Sequence, residues 1–248
     1  MWLGFGISVA AQNRNSLNVV SSIKNQDLKI SALLGYKSDI LLLSDVRLNG
    51  RDNVISDKLR LSYDMHFNST SNKRGVAVLI RNNLEHEILE RAADPQENVL
   101  LLKLKIKGKE IIIGTVYGPN DNACENFFEF LRGNLTRWAG IPCIIGGDWN
   151  ATPSYAPVDI NPDVIFMRNI PSRIRSEHVE TLCADCDLSD PFRTLNPDLK
   201  EFSRAASLEK TGHVLIFFWY QLTYMNLLNR AILHNHSVTK PLTINQSL

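Results

Sequence analysis

From residue 1 to about residue 205, apolar residues come in short runs separated by polar loops. The runs are residues 7–11 (ISVAA), 39–46 (DILLLSDV), 75–81 (GVAVLIR), 98–106 (NVLLLKLKI), 110–118 (EIIIGTVYG) and 141–150 (IPCIIGGDWN). Each is brief, rich in Val, Ile and Leu, and bounded by Gly, Pro, Asn or Asp, so each predicts a β-strand. Three other stretches have helical spacing. Residues 28–35 place Leu28, Ile30, Leu33 and Leu34 on one face and close on Gly35, as helices do. Residues 125–138 repeat the spacing through Phe127, Phe128, Leu131, Leu135 and Trp138, and residues 172–188 predict a third helix. In the run 98–106, Lys103 and Lys105, followed by Lys107, oppose Leu102, Leu104 and Ile106; this is the pattern of a sheet with one solvated face. Continuous apolar strands with helices between them predict a layered α/β domain.

The pattern breaks near the C-terminus. After Glu209 there is no acidic residue, and Arg230 and Lys240 are the only charges in residues 211–248, where about nine would be usual. Residues 214–221 (VLIFFWYQ) are apolar without alternation. The reading is therefore one domain over residues 1–210 and an aberrant tail over 211–248.

Composition narrows the rest. The chain has 248 residues, 44% hydrophobic and 21% charged, with a net charge of +1. That supports a sizeable core and excludes coiled-coil, collagen and fully disordered chains. Near-neutral charge leaves nucleic acid open as a partner, since a local patch is enough. No apolar stretch is long enough to span a bilayer, and the opening MWLGFGISVAAQ reads as a strand rather than a signal peptide. Four cysteines form no disulfide framework. The expected setting is intracellular, cytoplasmic or nuclear, with no membrane partner. The Cys183-Ala-Asp-Cys186 spacing has no second pair beside it, and buried small residues are its plainer meaning. No phosphate-binding glycine loop is present, so no small-molecule cofactor is expected.

Oxygen-bearing side chains gather at the ends of the predicted strands. Gly146-Gly147-Asp148-Trp149-Asn150 closes one run. A carboxylate there can orient or deprotonate a water, and an amide can hold a developing oxyanion. Strand alternation puts Asp148 and Asn150 on the same side. The plainer alternative is an Asx-turn that merely ends the strand. Tyr117-Gly118-Pro119-Asn120 closes a second run, Ser44-Asp45 a third, and Asn13-Arg14-Asn15 follows the first. Together they suit a hard cation such as Mg²⁺ or Mn²⁺.

Taken in order, N-x-N, the strand-end acid, Y-x-P-N and GD-x-N resemble the endonuclease/exonuclease/phosphatase superfamily, which includes DNase I and the apurinic/apyrimidinic endonucleases. The chain is similar, more narrowly, to the endonuclease domain of LINE-type retrotransposons. The resemblance runs from about residue 5 to 204 and takes in Asn68–Val76 and Leu188–Pro197. It implies a DNase I-like four-layer α/β sandwich and Mg²⁺- or Mn²⁺-dependent hydrolysis of a DNA phosphodiester. Asn13 then matches the motif's first amide, and Asn15 and Asp45 match the metal-binding positions. Asp45 is one methylene shorter than the usual Glu. Tyr117 matches the phosphate-contacting tyrosine, Asn120 its turn partner, Asp148 the water-orienting acid and Asn150 the oxyanion-stabilising amide. Ser203 falls where the family has a Thr or Ser near DNA. A phosphatase of the same superfamily and a non-catalytic transposon remnant are the alternatives.

Two family elements are absent: a strand reading S-R-I-D-F-F and a terminal D-H. No Asp follows Asp198, and His213, His234 and His236 stand in no such motif. Thr211–Trp219 can be encoded so that reading from each third codon base gives R-S-R-I-D-F-F-L. Pro241–Ser247 can likewise give F-D-H-K-S-V. Both missing motifs return in one offset and in the right order, which predicts a frameshift between about Arg204 and Thr211. The sandwich is then expected to lack its last native strands, with VLIFFWYQ available as a substitute. Unpaired edges left by such a loss invite aggregation.

Overall fold

The computed structural model of the chain describes residues 7–13, 30–47, 53–70, 73–151, 173–190, 194, 216–221, 231–232 and 242–244. Its strands are β1 (Ile7–Asn13), β2 (Ile40–Ser44), β3 (Tyr63–Asn68), β4 (Val76–Arg81), β5 (His86–Ala93), β6 (Val99–Ile106), β7 (Lys109–Tyr117), β8 (Cys143–Asp148), β9 (Leu188–Ser189), β10 (Ile216–Gln221), β11 (Ala231–Ile232) and β12 (Leu242–Ile244). Its helices are α1 (described over 30–35), α2 (Asn53–Arg60), α3 (Glu125–Arg137) and α4 (Arg173–Cys186). All six apolar runs are strands and all three predicted helices are present.

The strands form two six-stranded mixed sheets, ordered β11-β12-β1-β2-β4-β3 and β5-β6-β7-β8-β10-β9. Val9, Ile40, Leu42, Val78 and Ile80 of the first face Leu100, Leu102, Leu104 and Ile113 of the second in one buried cluster. The outer face of the first sheet packs Leu41, Leu43, Ala77 and Leu79 against Ile30 and Leu33 of α1 and Leu59 of α2. The outer face of the second packs Leu101, Ile112 and Ile145 under Phe127, Phe128, Leu131 and Leu135 of α3 and Val179 and Leu182 of α4. The result is the four-layer sandwich. Central strands are covered on both faces, which is why β2 reads as an unbroken apolar run. Lys103, on the α3 side of β6, is only partly solvated and lies between Glu90 (3.7 Å) and Glu110 (3.1 Å).

The tail contributes strands where gaps were expected. β10 lies between β8 and β9, in register from Ile216↔Asp148 to Tyr220↔Ile144. β12 pairs antiparallel with β1, with Leu242 opposite Val9 and Ile244 opposite Ile7. The physical reason is that strand pairing uses backbone groups and asks of the side chains mainly apolarity.

Candidate active site

Among the described residues, only two neighbouring strand pairs run parallel, β1–β2 and β7–β8. They deliver their C-terminal ends to one rim of the sandwich. Asn13 ends β1 in register with Ser44, and Tyr117 ends β7 in register with Asp148. The Thr115 hydroxyl donates to the Leu43 carbonyl at 3.2 Å, tying the two sheets together one step below the rim. Two glycines let β7 and β8 close on each other. Gly147 has φ +140°, and a Cβ there would run into the Val116 carbonyl; a Cβ on Gly118 would meet the Trp149 carbonyl. A side chain at either position would push the strand ends apart.

Asp45 and Asp148 are both almost fully buried, at 1% and 2% exposure. Asp45 adopts φ +56°, a conformation that costs a non-glycine residue energy and is met most often at functional sites. Both its oxygens are engaged by one guanidinium: Arg47 Nε donates to Oδ1 at 2.6 Å and Nη2 to Oδ2 at 3.0 Å. The hydrogen bond that Arg47 donates to Asp45 raises the Arg47 pKa further, against partial burial. Tyr117 completes the group. Burial, followed by the charges of Asp45 and Asp148, pushes its phenol above the usual range, against Arg47 and a hydrogen bond with Asn120. It therefore keeps its proton at neutral pH and can donate to an anion. Beside Asp45, the Ser44 hydroxyl is buried and has no hydrogen-bond partner among the described residues.

Asp148 does two jobs. Its Oδ1 accepts the Asn150 backbone N–H at 3.1 Å, so the strand-closing Asx-turn is present together with the buried acid. Alternation does not place Asn150, because β8 stops at Asp148 and Asn150 turns at φ +48°. Its amide instead donates to the Gly118 carbonyl at 2.7 Å, and the Gly118 N–H donates to the Asp148 carbonyl at 2.6 Å. These bonds link the Y-x-P-N and GD-x-N loops. Asn120 is exposed at the lip. Arg175 of α4 donates to the Pro119 carbonyl at 3.1 Å and holds the same loop from outside.

The structure thus brings Asp45, Tyr117, Asn120, Asp148 and Asn150 together, with the backbone of Asn13 on the neighbouring strand end. The Asn13 side chain, Asn15, Ser203 and His213, His234 and His236 lie outside the described residues. Two basic residues escaped the sequence reading. Arg47 is one, although an acid and an arginine two apart at a strand end is a visible signal. The other is Arg74, which donates to the Asn98 side-chain oxygen at 3.2 Å, while the Asn98 carbonyl accepts the Tyr117 N–H at 2.7 Å. The Cys183 and Cys186 thiols are free, and burial pushes both above the usual range, which disfavours thiolate chemistry.

The donor set suits a hard divalent cation: two buried carboxylates, an amide-rich rim and a buried hydroxyl are all oxygen ligands or their neighbours. Arg47 is the competitor such an ion has to displace from Asp45.

Comparison with known proteins gives the family and the fold. The profile of the Endonuclease/Exonuclease/phosphatase family matches residues 4–185. Among solved structures, the chain is similar to an AP endonuclease from Archaeoglobus fulgidus, at 16% identity and a TM-score of 0.67, over 98% of this chain and 99% of that one. It is similar to an AP endonuclease from Leishmania major at 16% identity and a TM-score of 0.69, over 89% and 80%. It is also similar to the human Nocturnin catalytic domain at 20% identity and a TM-score of 0.59, over 98% and 94%. At these identities the structures speak for the fold.

Proposed function

This chain belongs to the endonuclease/exonuclease/phosphatase family, and from that membership we propose that it carries the scaffold of a metal-dependent DNA endonuclease of LINE-type retrotransposon origin, with weak or absent catalysis in this copy. The observation behind the reading is the buried Asp45–Tyr117–Asp148 group at the rim shared by both sheets. Asp45, together with Asn15 of the N-x-N motif, would hold Mg²⁺ or Mn²⁺. When bound, such an ion supplies positive charge against the phosphate and the leaving oxygen. Asp148 orients the attacking water. The Tyr117 hydroxyl and the Asn150 amide donate to oxygens on which charge builds up, and Asn13 is the further amide at this rim. Asn120 sets the tyrosine, and Ser203 is assigned to the DNA strand beyond it.

What weakens the copy is the tail. In the shifted reading, the Asp of R-S-R-I-D-F-F-L spans the codons of Leu215 and Ile216, and Ile216 stands opposite Asp148 in the sheet. The D-H of F-D-H-K-S-V falls across Leu242–Ile244, the segment that forms β12 beside β1. Both absent groups thus map to strands flanking the site, which supports a frameshift between about Arg204 and Thr211. It also supports treating residues 211–248 as out-of-frame sequence occupying native strand positions. Losing members of an interdependent catalytic set costs orders of magnitude.

The coding DNA tests this reading. The offset frame is expected to spell both motifs, and a frame that spells neither ends the frameshift. Substrate class is tested on a chain with the in-frame tail restored. Nicking of supercoiled plasmid without hydrolysis of a small phosphomonoester supports the endonuclease; the reverse supports a phosphatase.

A further inference from the structure

A second cluster of ligand-bearing side chains lies at the opposite end of the sandwich. Asp64 and His66 are two apart on β3 and so share a face; His86 opens β5. Each strand is the outermost of its sheet, and the two lie on the same side of the sandwich, where the Arg91 guanidinium on β5 donates to the Phe67 carbonyl on β3 at 2.7 Å. The cluster is not part of the strand-end site. Asp64 is in register with Ile80, which pairs with Ile40 at the start of β2, whereas Asp45 follows the end of that strand. Five residues of extended chain separate the two levels by roughly 16 Å.

The geometry converges on one point. His66 Nε2 lies 3.2 Å and His86 Nε2 lies 3.3 Å from the same oxygen, Asp64 Oδ2. All three ligand atoms lie within 4.8 Å of one another. The tautomer of His86 is fixed by its other nitrogen. Nδ1 is 2.8 Å from the Leu84 carbonyl, which can only accept, so Nδ1 carries the proton. Nε2 is then the ring nitrogen turned toward the carboxylate oxygen. The same Nδ1–H···O=C bond is the arrangement that orients metal-binding histidines.

We propose that Asp64, His66 and His86 form a zinc site that clips the edge strand of one sheet to the edge strand of the other. Two imidazole nitrogens and one carboxylate oxygen suit a borderline cation such as Zn²⁺ and not the oxygen-seeking Mg²⁺. Tetrahedral zinc with bonds of 2.0–2.1 Å holds its ligands about 3.3 Å apart, which is the spacing of both histidines from Asp64. Asp64 is half-exposed while both histidines are mostly buried, so the ion has access from solvent and a water can take the fourth position. The site joins the two edge strands, and no residue of the phosphodiester rim takes part in it.

The test uses the full chain after chelator treatment, with Zn²⁺ and Co²⁺ as probes in excess Mg²⁺. The expected result is one Zn²⁺ per chain and a thermal midpoint about 5–10 °C higher at a hundredfold excess over Kd. His66→Gln and His86→Gln should each weaken binding at least about tenfold and remove the shift, while Asp148→Ala retains both. Co²⁺ on the unmutated chain should give the strong visible absorption of a four-coordinate nitrogen–oxygen site, a readout that needs no variant to fold. No zinc binding, binding indifferent to both histidine substitutions, loss of binding in Asp148→Ala, or only the weak spectrum of six-coordinate Co²⁺ would each overturn the site.

Discussion

The matched body and the tail of this chain both make sheet, but on different terms. In the body, β7 and β8 depend on residue identity: Gly147 and Gly118 exist to let backbones touch, and Asp148 is buried because an Asx-turn and the rim employ it. In the tail, β10 and β12 occupy places beside β8 and β1 with a sequence that has no acid and few charges. A strand position asks for apolarity and backbone hydrogen bonds, whereas a catalytic position asks for one particular side chain. A chain can therefore keep the architecture of its family and lose its chemistry.

Restoring the family tail is the largest expected change. A chain whose residues from about 205 onward are re-read in the offset frame should nick supercoiled plasmid at least about 10³-fold faster than this one. A gain below tenfold would mean that the tail is not what limits the body. Next comes the cost of identity. Gly147→Ala should lose about 2–4 kcal/mol in urea unfolding, from a φ reserved for glycine and a collision with the Val116 carbonyl. Phe218→Ile in β10 should lose less than about 1 kcal/mol, whereas Phe218→Pro, opposite Gly146 between two strands, should lose about 3 kcal/mol by breaking the ladder. Equal costs for Phe218→Ile and Gly147→Ala would erase the contrast. The smallest effect concerns Arg47. A partly exposed ion pair is worth up to about 1 kcal/mol, so Arg47→Ala should tighten Mn²⁺ binding about fivefold in calorimetry by freeing Asp45.

The sequence showed the central strands because they are buried on both faces, and it showed α3 because its apolar residues recur at helical spacing. It did not show β3 (YDMHFN) or β5 (HEILERAA), whose half-exposed edge positions leave no apolar run. β5 is also built from good helix formers, which sheet pairing overrides. The Asp64–His66–His86 cluster was hidden for the same reason: its members sit on those two edge strands and meet only once the sheets pack. At the rim, Asp45, Tyr117, Asp148 and Asn150 were visible as strand ends. Arg47 carried a signal too, an arginine two residues after the acid at a strand end, but its pairing with Asp45 depends on where the side chain folds back. Asn150 was placed by the wrong cause, alternation instead of a left-handed turn. The layer count came from the family resemblance, since apolar runs and helices alone fit several α/β sandwiches.

Parallel metal-binding and plasmid-nicking measurements on the purified chain and its Asp148→Ala variant test the proposal that the rim is a cation site which the tail leaves incomplete. The expected result is weak Mn²⁺ or Mg²⁺ binding by the unmutated chain and nicking no faster than Asp148→Ala. Metal-dependent nicking abolished by Asp148→Ala would contradict it and make this copy a working enzyme, and no metal binding at all would mean that the rim does not form a cation site.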